Sequence, residues 1–239
     1  MSKCSEFLRK INHKFCSAVV VAAGSSSRMG EDKLLMKIKG IPAIVYTLRA
    51  LDESEEVDEI VISTSGDKLE SLAELCREYE ISKVTKVIKG GASRTESALA
   101  GVSETDRRAK TICIHDGARP FVHPETVNAV IRAAVCDKAA APAVPVKDTV
   151  RIVENGEVTQ TPARENVLAM QTPQAFDADL IKAALTKAVA DGISYTDDCA
   201  AAEAMGVRIC IIRGTEDNIK LTTPLDIPLA ERIISERGL

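Results

Sequence analysis

Residues 17–33, SAVVVAAGSSSRMGEDK, limit the possible folds more than any other stretch of this chain. Ser17–Ala23 is an apolar, β-branched run, short enough for one buried strand, and it stops at Gly24. A run bounded in this way predicts a central parallel strand covered on both faces. The Ser25-Ser26-Ser27 loop after it carries only small side chains, so backbone N–H groups can approach an anion. Arg28 and Lys33 follow, two cations able to reach that anion from outside.

The rest of the chain alternates strand and helix signals with short links. Strands are expected at Glu59–Ser63, Lys83–Ile88, Thr111–His115 and Ala139–Val144, with a late one at Val207–Ile212. Helices are expected from Ile41-Pro42 to Leu51, over Lys68–Tyr79, from Ser93 to Val102 and from Pro124 to Asp137. Ser93 with Glu96 three residues on is a capping-box pattern. Further helices are expected at Asp177–Ala190 and Asp197–Met205, and from Thr223-Pro224 to the C-terminus, with Pro228 distorting the second turn. This alternation predicts an α/β fold with a doubly wound, mostly parallel sheet. It spans residues 15–239 as one domain, after a polar lead-in at 1–14.

One segment breaks the pattern. TVRIVENGEVTQ, residues 149–160, reads as two strands around Asn155-Gly156, a strong hairpin signal. Two readings are open for it: a hairpin packed on the edge of the sheet, or an arm reaching a second subunit.

In a doubly wound sheet, ligands bind beyond the carboxyl ends of the strands. Gly24–Lys33, Gly90–Arg94, Asp116–Arg119 and Asn218–Lys220 all fall there, so Arg28, Lys33, Arg119 and Lys220 should converge on one rim. Arg164 and Thr172 are further candidates. Cations gathered on a chain of net charge −4 imply a small, highly anionic ligand such as nucleotide phosphates. Nucleic acid is not the expected partner: aromatics are only 3%, and no basic track is interleaved with stacking rings. No apolar run approaches the ~20 residues of a membrane span. Seven cysteines, with no C-x-x-C pair, read as free thiols in a reducing cytoplasm; Cys16, Cys76, Cys113, Cys136 and Cys210 sit among apolar neighbours. Asp197-Asp198 reads as a helix cap and dipole partner rather than a metal site. His115 reads as a packed strand-end residue. The first loop lacks the glycines of a Walker A or dinucleotide fingerprint, and no G-x-S-x-G elbow is present.

The motifs AAGSSSRMG with Lys33, GGASR, HDGARPF, the KDT of residues 147–149, TPQAF and DNIKLTTP occur in one order. In that order the chain resembles the 2-C-methyl-D-erythritol 4-phosphate cytidylyltransferases, the CTP-using step of the non-mevalonate isoprenoid pathway, over residues 15–237. The resemblance implies a Rossmann-like nucleotidyltransferase fold and a homodimer built through an arm at about 147–170. It implies transfer of cytidylyl from CTP to the polyol phosphate with release of pyrophosphate, and Mg²⁺ held mainly through CTP phosphates. Residue by residue, it implies that Arg28 and Lys33 stabilise the transition state and that Arg164 and Lys220 hold the acceptor. Asp116, Arg119, Thr149 and Thr172 would line the acceptor pocket, with Asp116 also facing the nucleotide. Ala22, Ala23, Gly24, Gly91 and Ser97 would hold cytosine and ribose. Thr149 and Arg164 would act on the neighbouring subunit's site. Ala92 stands where some relatives carry an acidic residue that touches the base. The alternatives are a ribitol 5-phosphate or other polyol-phosphate cytidylyltransferase, a non-catalytic nucleotide-binding regulator, and an NAD-dependent oxidoreductase.

Overall fold

The computed structural model describes residues 14–24 and 32–239. The expected lead-in up to residue 13 and the loop 25–31, with Ser26 and Arg28, lie outside the described residues.

The central strand β1 (Cys16–Ala22) pairs in parallel with β4 (Glu59–Thr64) on one side and β6 (Thr111–Asp116) on the other. β5 (Val84–Lys89) extends the sheet beyond β4, also parallel. Along β1, Cys16, Ala18, Val20 and Ala22 enter one apolar cluster while Val19 enters the other. That two-sided burial is what an uninterrupted β-branched run requires. The first cluster packs β1 against α1 (Ala43–Asp52), α2 (Leu69–Glu78) and α4 (Pro124–Asp137). The second packs it against α3 (Arg94–Ser103), α5 (Ala178–Ala190) and α6 (Asp198–Glu203). Helices on both faces make the sheet doubly wound. Gly101 lets α3 sit directly on β1; a Cβ there would fall 2.3 Å from Val19 Cγ1.

Beyond β6 the order departs from a simple parallel sheet. β11 (Gln174–Asp177), a strand the sequence reading lacks, lies antiparallel between β6 and β7 (Ala139–Pro145). β10 (Leu168–Met170) is also antiparallel to β7, and β12 (Cys210–Arg213) is parallel to it. Before α1, a small ribbon of β2 (Lys37–Ile38) and β3 (Ile41–Pro42) packs with α7 (Asp226–Arg237) in a third cluster around Tyr46, Phe121 and Leu221.

Ile41–Pro42 pairs as β3 rather than opening a helix, so α1 starts at Ala43, and three other expectations need adjustment. The late strand begins at Cys210, not Val207. Helix α7 begins at Asp226, whose carboxylate accepts from the backbone N–H groups of Thr222 and Thr223. Pro228 therefore falls in the first turn, where no intrahelical N–H partner is lost, and it disturbs nothing. Cys136 is exposed rather than packed.

The hairpin forms as read: β8 (Ile152–Glu154) and β9 (Glu157–Gln160) flank Asn155 (φ 53°) and Gly156 (φ 84°), the positive pair a tight primed turn needs. It makes a sheet of its own with every residue exposed, so it does not pack on the main sheet's edge.

Candidate active site

A cavity of about 390 Å³ opens at the carboxyl ends of β1 and β6, where the chain order diverges to either side of β1. Of the residues expected there, Ala22, Ala23, Gly24, Lys33, Gly91, Ser97, Asp116 and Lys220 all line it. They come from four separate segments, each placed by a strand end or the loop after it.

The Gly90-Gly91 loop is held from beneath by α3. Ser97 Oγ accepts from the Gly91 N–H (3.1 Å) and donates to the Ser93 carbonyl (2.8 Å). Ser93 caps α3 by accepting from the Glu96 N–H, and Glu96 Oε2 in turn accepts from the Ala92 N–H at 2.7 Å. Ser97 thus shapes the wall with its hydroxyl already engaged. Only glycine fits above it: a Cβ on Gly90 would lie 2.8 Å from Ser97 Oγ and 2.9 Å from Ser63 Oγ.

Lys33 also lines the cavity, and Asp32 holds the turn that carries it. Its backbone carbonyl accepts from Leu35 and Met36, its Oδ1 accepts from the Leu34 N–H, and its Oδ2 pairs with Lys68 Nζ at 2.7 Å.

The cavity's charges form a connected series. Lys220 Nζ sits 2.7 Å from Asp116 Oδ2, and Arg94 reaches Asp116 Oδ1 through Nε (3.3 Å) and Nη2 (3.2 Å). Arg94 also grips Asp198 with two further bonds, Nη1 to Oδ1 at 3.0 Å and Nη2 to Oδ2 at 2.7 Å. Burial opposes ionisation of Asp116, yet Arg94, Lys220 and Arg119 hold its carboxyl well below the usual carboxylate range. Burial likewise works against charge on Arg94, but Asp198 and Asp116 fix it as a cation. Burial raises Asp198, opposed by the Arg94 guanidinium. Asp197, not Asp198, is the helix cap, accepting from the Ala200 N–H at 3.0 Å.

Behind Asp116 a buried relay fixes the backbone. The His115 Nε2 faces the Arg119 carbonyl at 3.1 Å, which can only accept, so that nitrogen carries the proton. His115 Nδ1 then accepts from Thr172 Oγ1 (2.9 Å), and Thr172 Oγ1 accepts from the Asp116 N–H (3.1 Å). Burial pushes His115 down to about 4, so it stays neutral at pH 7. Thr172 is therefore a support rather than a wall of the cavity, and its hydroxyl is fully engaged. Arg119 also stands behind the cavity, donating through Nη1 to the Asn218 carbonyl at 2.8 Å. That bond steadies the loop carrying Lys220, as does the Leu221 N–H donating to the Ala118 carbonyl.

Thr149 and Arg164 are not brought to this cavity. Both are exposed, and Arg164 Nη1 donates to the Lys147 carbonyl at the base of the hairpin segment. Arg28 lies outside the described residues. Two residues that sequence reasoning did not name as site residues, Arg94 and Asp198, prove central to the charge series. Arg94 closes the GGASR motif, which was the only sequence signal for it.

A family profile described as 2-C-methyl-D-erythritol 4-phosphate cytidylyltransferase matches residues 16–236. A protein of that description from Caldanaerobacter subterraneus subsp. tengcongensis is 41% identical over 219 residues, covering 90% of this chain and 96% of the relative. Another, from Symbiobacterium thermophilum, is 40% identical over 225 residues, covering 93% and 94%. The solved 4-diphosphocytidyl-2C-methyl-D-erythritol synthase of Anaerococcus prevotii is 31% identical with a TM-score of 0.85, over 94% of this chain and 100% of that one.

Proposed function

We propose a division of labour inside the cavity that starts from one premise: this chain belongs to the 2-C-methyl-D-erythritol 4-phosphate cytidylyltransferase family. It is a cytidylyltransferase, joining the cytidylyl group of CTP to 2-C-methyl-D-erythritol 4-phosphate to give 4-diphosphocytidyl-2-C-methyl-D-erythritol and pyrophosphate. An oxygen of the acceptor phosphate attacks the α-phosphorus in line. The bond from that phosphorus to the bridging oxygen breaks, and its electron pair leaves with pyrophosphate.

A phosphate monoester, with a second pKa of about 6, is already ionised at pH 7, so no general base is required. The barrier lies in bringing a dianion to a triphosphate, which makes positioning and charge neutralisation the main tasks. Lys33, on the rim beside β1, is placed to take the charge that develops on the departing pyrophosphate. Arg28 shares that role by the family resemblance. Ala22, Ala23, Gly24 and Gly91 carry little or no side chain and so leave room for the nucleoside. Lys220 holds the acceptor phosphate, and Asp116 beside it accepts from acceptor hydroxyls.

Mg²⁺ is a fitting cofactor. Among the described residues no group of three or more His, Cys, Asp or Glu gathers to hold a metal, and both Asp116 oxygens already face cations. Such a donor set suits an ion bound chiefly by phosphate oxygens and water. When bound, it would offset triphosphate charge and draw electron density from the α-phosphorus.

The arm segment completes the reading as a homodimer contact. Ile152, Val153, Val158 and Leu168 leave large apolar side chains exposed along it, and Thr149 and Arg164 lie there, away from this chain's own cavity. A second copy covering those side chains would receive Arg164 on the acceptor side of its site. Work in a reducing cytoplasm accords with the free thiols at Cys16 and Cys113. Among the described residues no helix is long and apolar enough to cross a membrane.

The observation that carries the reading is the single cavity at the ends of β1 and β6 that Lys33 and Lys220 both line. The test is pyrophosphate release with CTP, Mg²⁺ and each polyol phosphate in turn. Turnover should be fastest with methylerythritol phosphate; faster turnover of ribitol 5-phosphate would reject it.

A further inference from the structure

Arg94 lies in the cavity wall, yet its donors are almost fully committed. Nη1 and Nη2 each give one bond to Asp198, while Nε and Nη2 give bonds to Asp116 Oδ1. Of five guanidinium N–H groups, four are engaged with carboxylates and one on Nη1 remains. Two carboxylates flank this one cation, so Arg94 is poorly suited to act as a phosphate clamp.

Its geometry suits a different task. Asp198 has no exposed surface, and its own backbone is pinned: the Asp198 and Cys199 N–H groups both donate to Gln174 Oε1 at 3.0 Å. Gln174 Nε2 donates in turn to Asp197 Oδ2 at 2.9 Å. The N-terminus of α6 is thereby bolted to β11, and the Asp198 carboxylate is a fixed point. From it the contacts run outward without a gap, through Arg94 to Asp116 Oδ1 and from Asp116 Oδ2 to Lys220, which is the exposed end. The four groups carry two negative and two positive charges, so the series is neutral as a unit. The bidentate fork between Arg94 and Asp198 sets orientation as well as distance. Nε and Nη2 of Arg94 both reach the single Oδ1 of Asp116, and Lys220 meets Oδ2 through one bond.

We propose that Asp198 is a positioning residue for cytidylyl transfer, holding Arg94 so that Asp116 and Lys220 are presented to the acceptor in one fixed geometry. Without the Asp198 charge, Arg94 can swing fully onto Asp116. It then competes with Lys220 for the same carboxylate and turns the acceptor end of the cavity out of register. The base and ribose end, built on Ala22–Gly24, Gly91 and Ser97, takes no side chain from this series and should be untouched.

This inference rests on Lys220 holding the acceptor phosphate, so Lys220→Ala is measured alongside. The experiment is steady-state kinetics of Asp198→Asn with CTP, Mg²⁺ and methylerythritol phosphate, together with direct CTP titration. The expected result is an acceptor KM raised ~10-fold or more, within the ~10²-fold that an ångström of misplacement can cost, and an unchanged CTP Kd. Arg94→Gln, which removes the middle of the series, should give the same split, and the double variant should be no worse than the worse single one. Should Asp198→Asn fail to fold, Arg94→Gln carries the test; failure of both to fold would overturn the positioning role in favour of a purely structural one. An unchanged acceptor KM, an equal loss for both substrates, or a tighter acceptor from the added positive charge would each overturn it too. If Lys220→Ala leaves the acceptor KM unchanged, the assignment of Lys220 itself fails. If Lys220→Ala raises that KM and Asp198→Asn does not, only the present inference fails.

Discussion

Replacing Gly91 with alanine tests how rigid the nucleotide cradle is. A Cβ at that position would lie 2.2 Å from Glu96 Cβ, 2.7 Å from Glu96 Oε2 and 3.1 Å from the Glu96 carbonyl carbon. Ordinary carbon–carbon contact is about 3.5–4.0 Å, so the shortfall exceeds an ångström and falls partly on backbone. Rotating the Glu96 side chain away cannot relieve a contact to its own Cβ. Either the 90–93 loop or the first turn of α3 must shift. That shift breaks the bonds from the Ala92 N–H to Glu96 Oε2 (2.7 Å) and from the Gly91 N–H to Ser97 Oγ (3.1 Å). Overpacking of this kind costs ~1–3 kcal/mol, and losing a helix-start hydrogen bond adds ~1 kcal/mol. Gly91→Ala should therefore lose roughly 2–4 kcal/mol by urea denaturation. CTP should bind more weakly in the same protein, because the displaced loop forms the cavity wall. Adding Glu96→Ala should recover little, since the Cβ contact remains. Near-wild-type stability with undiminished CTP affinity would show that the loop relaxes freely, and the reasoning from close approach would be wrong.

Other outcomes follow from the same geometry. Lys33→Ala should lower turnover by ~10²-fold or more, the scale of losing one transition-state charge partner, and an unchanged rate in a stopped-flow pyrophosphate assay would exclude its role. Arg164→Ala should raise the acceptor KM while sparing CTP affinity; mixing inactive Lys33→Ala and Arg164→Ala protomers should restore activity if sites are shared, and restore none if each subunit is self-sufficient. Stability should fall on acidification. His115, neutral and buried with a pKa of about 4 against about 6.5 unfolded, contributes stability above pH 6.5 that is lost as pH falls towards 4. The two values imply ~3 kcal/mol lost across that window. Asp116, held below the unfolded carboxylate value of about 3.9, contributes stability present above that pH and lost only below it. Chemical denaturation curves that stay constant from pH 7 to 4.5 would contradict the His115 assignment.

Much of this could be read locally because its causes are local. A β-branched run ending at glycine specifies a buried strand and the loop after it, so β1, β4, β6 and the cavity they open onto were visible in the sequence. Asn155-Gly156 fixes a turn by its own backbone preferences, and Ser93, Asp177 and Asp197 mark helix starts by bonds to residues three positions on. What escaped notice depends on partners far along the chain. β11 is four residues without a periodic pattern, and it is a strand because β6 and β7 lie on either side of it. Asp198 looks like a second helix-start acid until Arg94, 104 residues away, takes its carboxylate. The family resemblance puts Thr172 in the acceptor pocket, whereas its hydroxyl is taken up by His115 and the Asp116 N–H. The start of α7 depended on which carboxylate would capture the Thr222 and Thr223 N–H groups, and Asp226 did so beyond the proline expected to open the helix.

One cavity at the ends of β1 and β6 is to take both nucleotide and acceptor. A crystal structure with CTP and Mg²⁺ tests it most directly. The base should lie against Ala22–Gly24 and Gly91, with the triphosphate turned toward Lys33 and its α-phosphorus on the side of Lys220 and Asp116. CTP bound elsewhere on the molecule, or in this cavity with Lys33 and Lys220 both directed into bulk water, would contradict it.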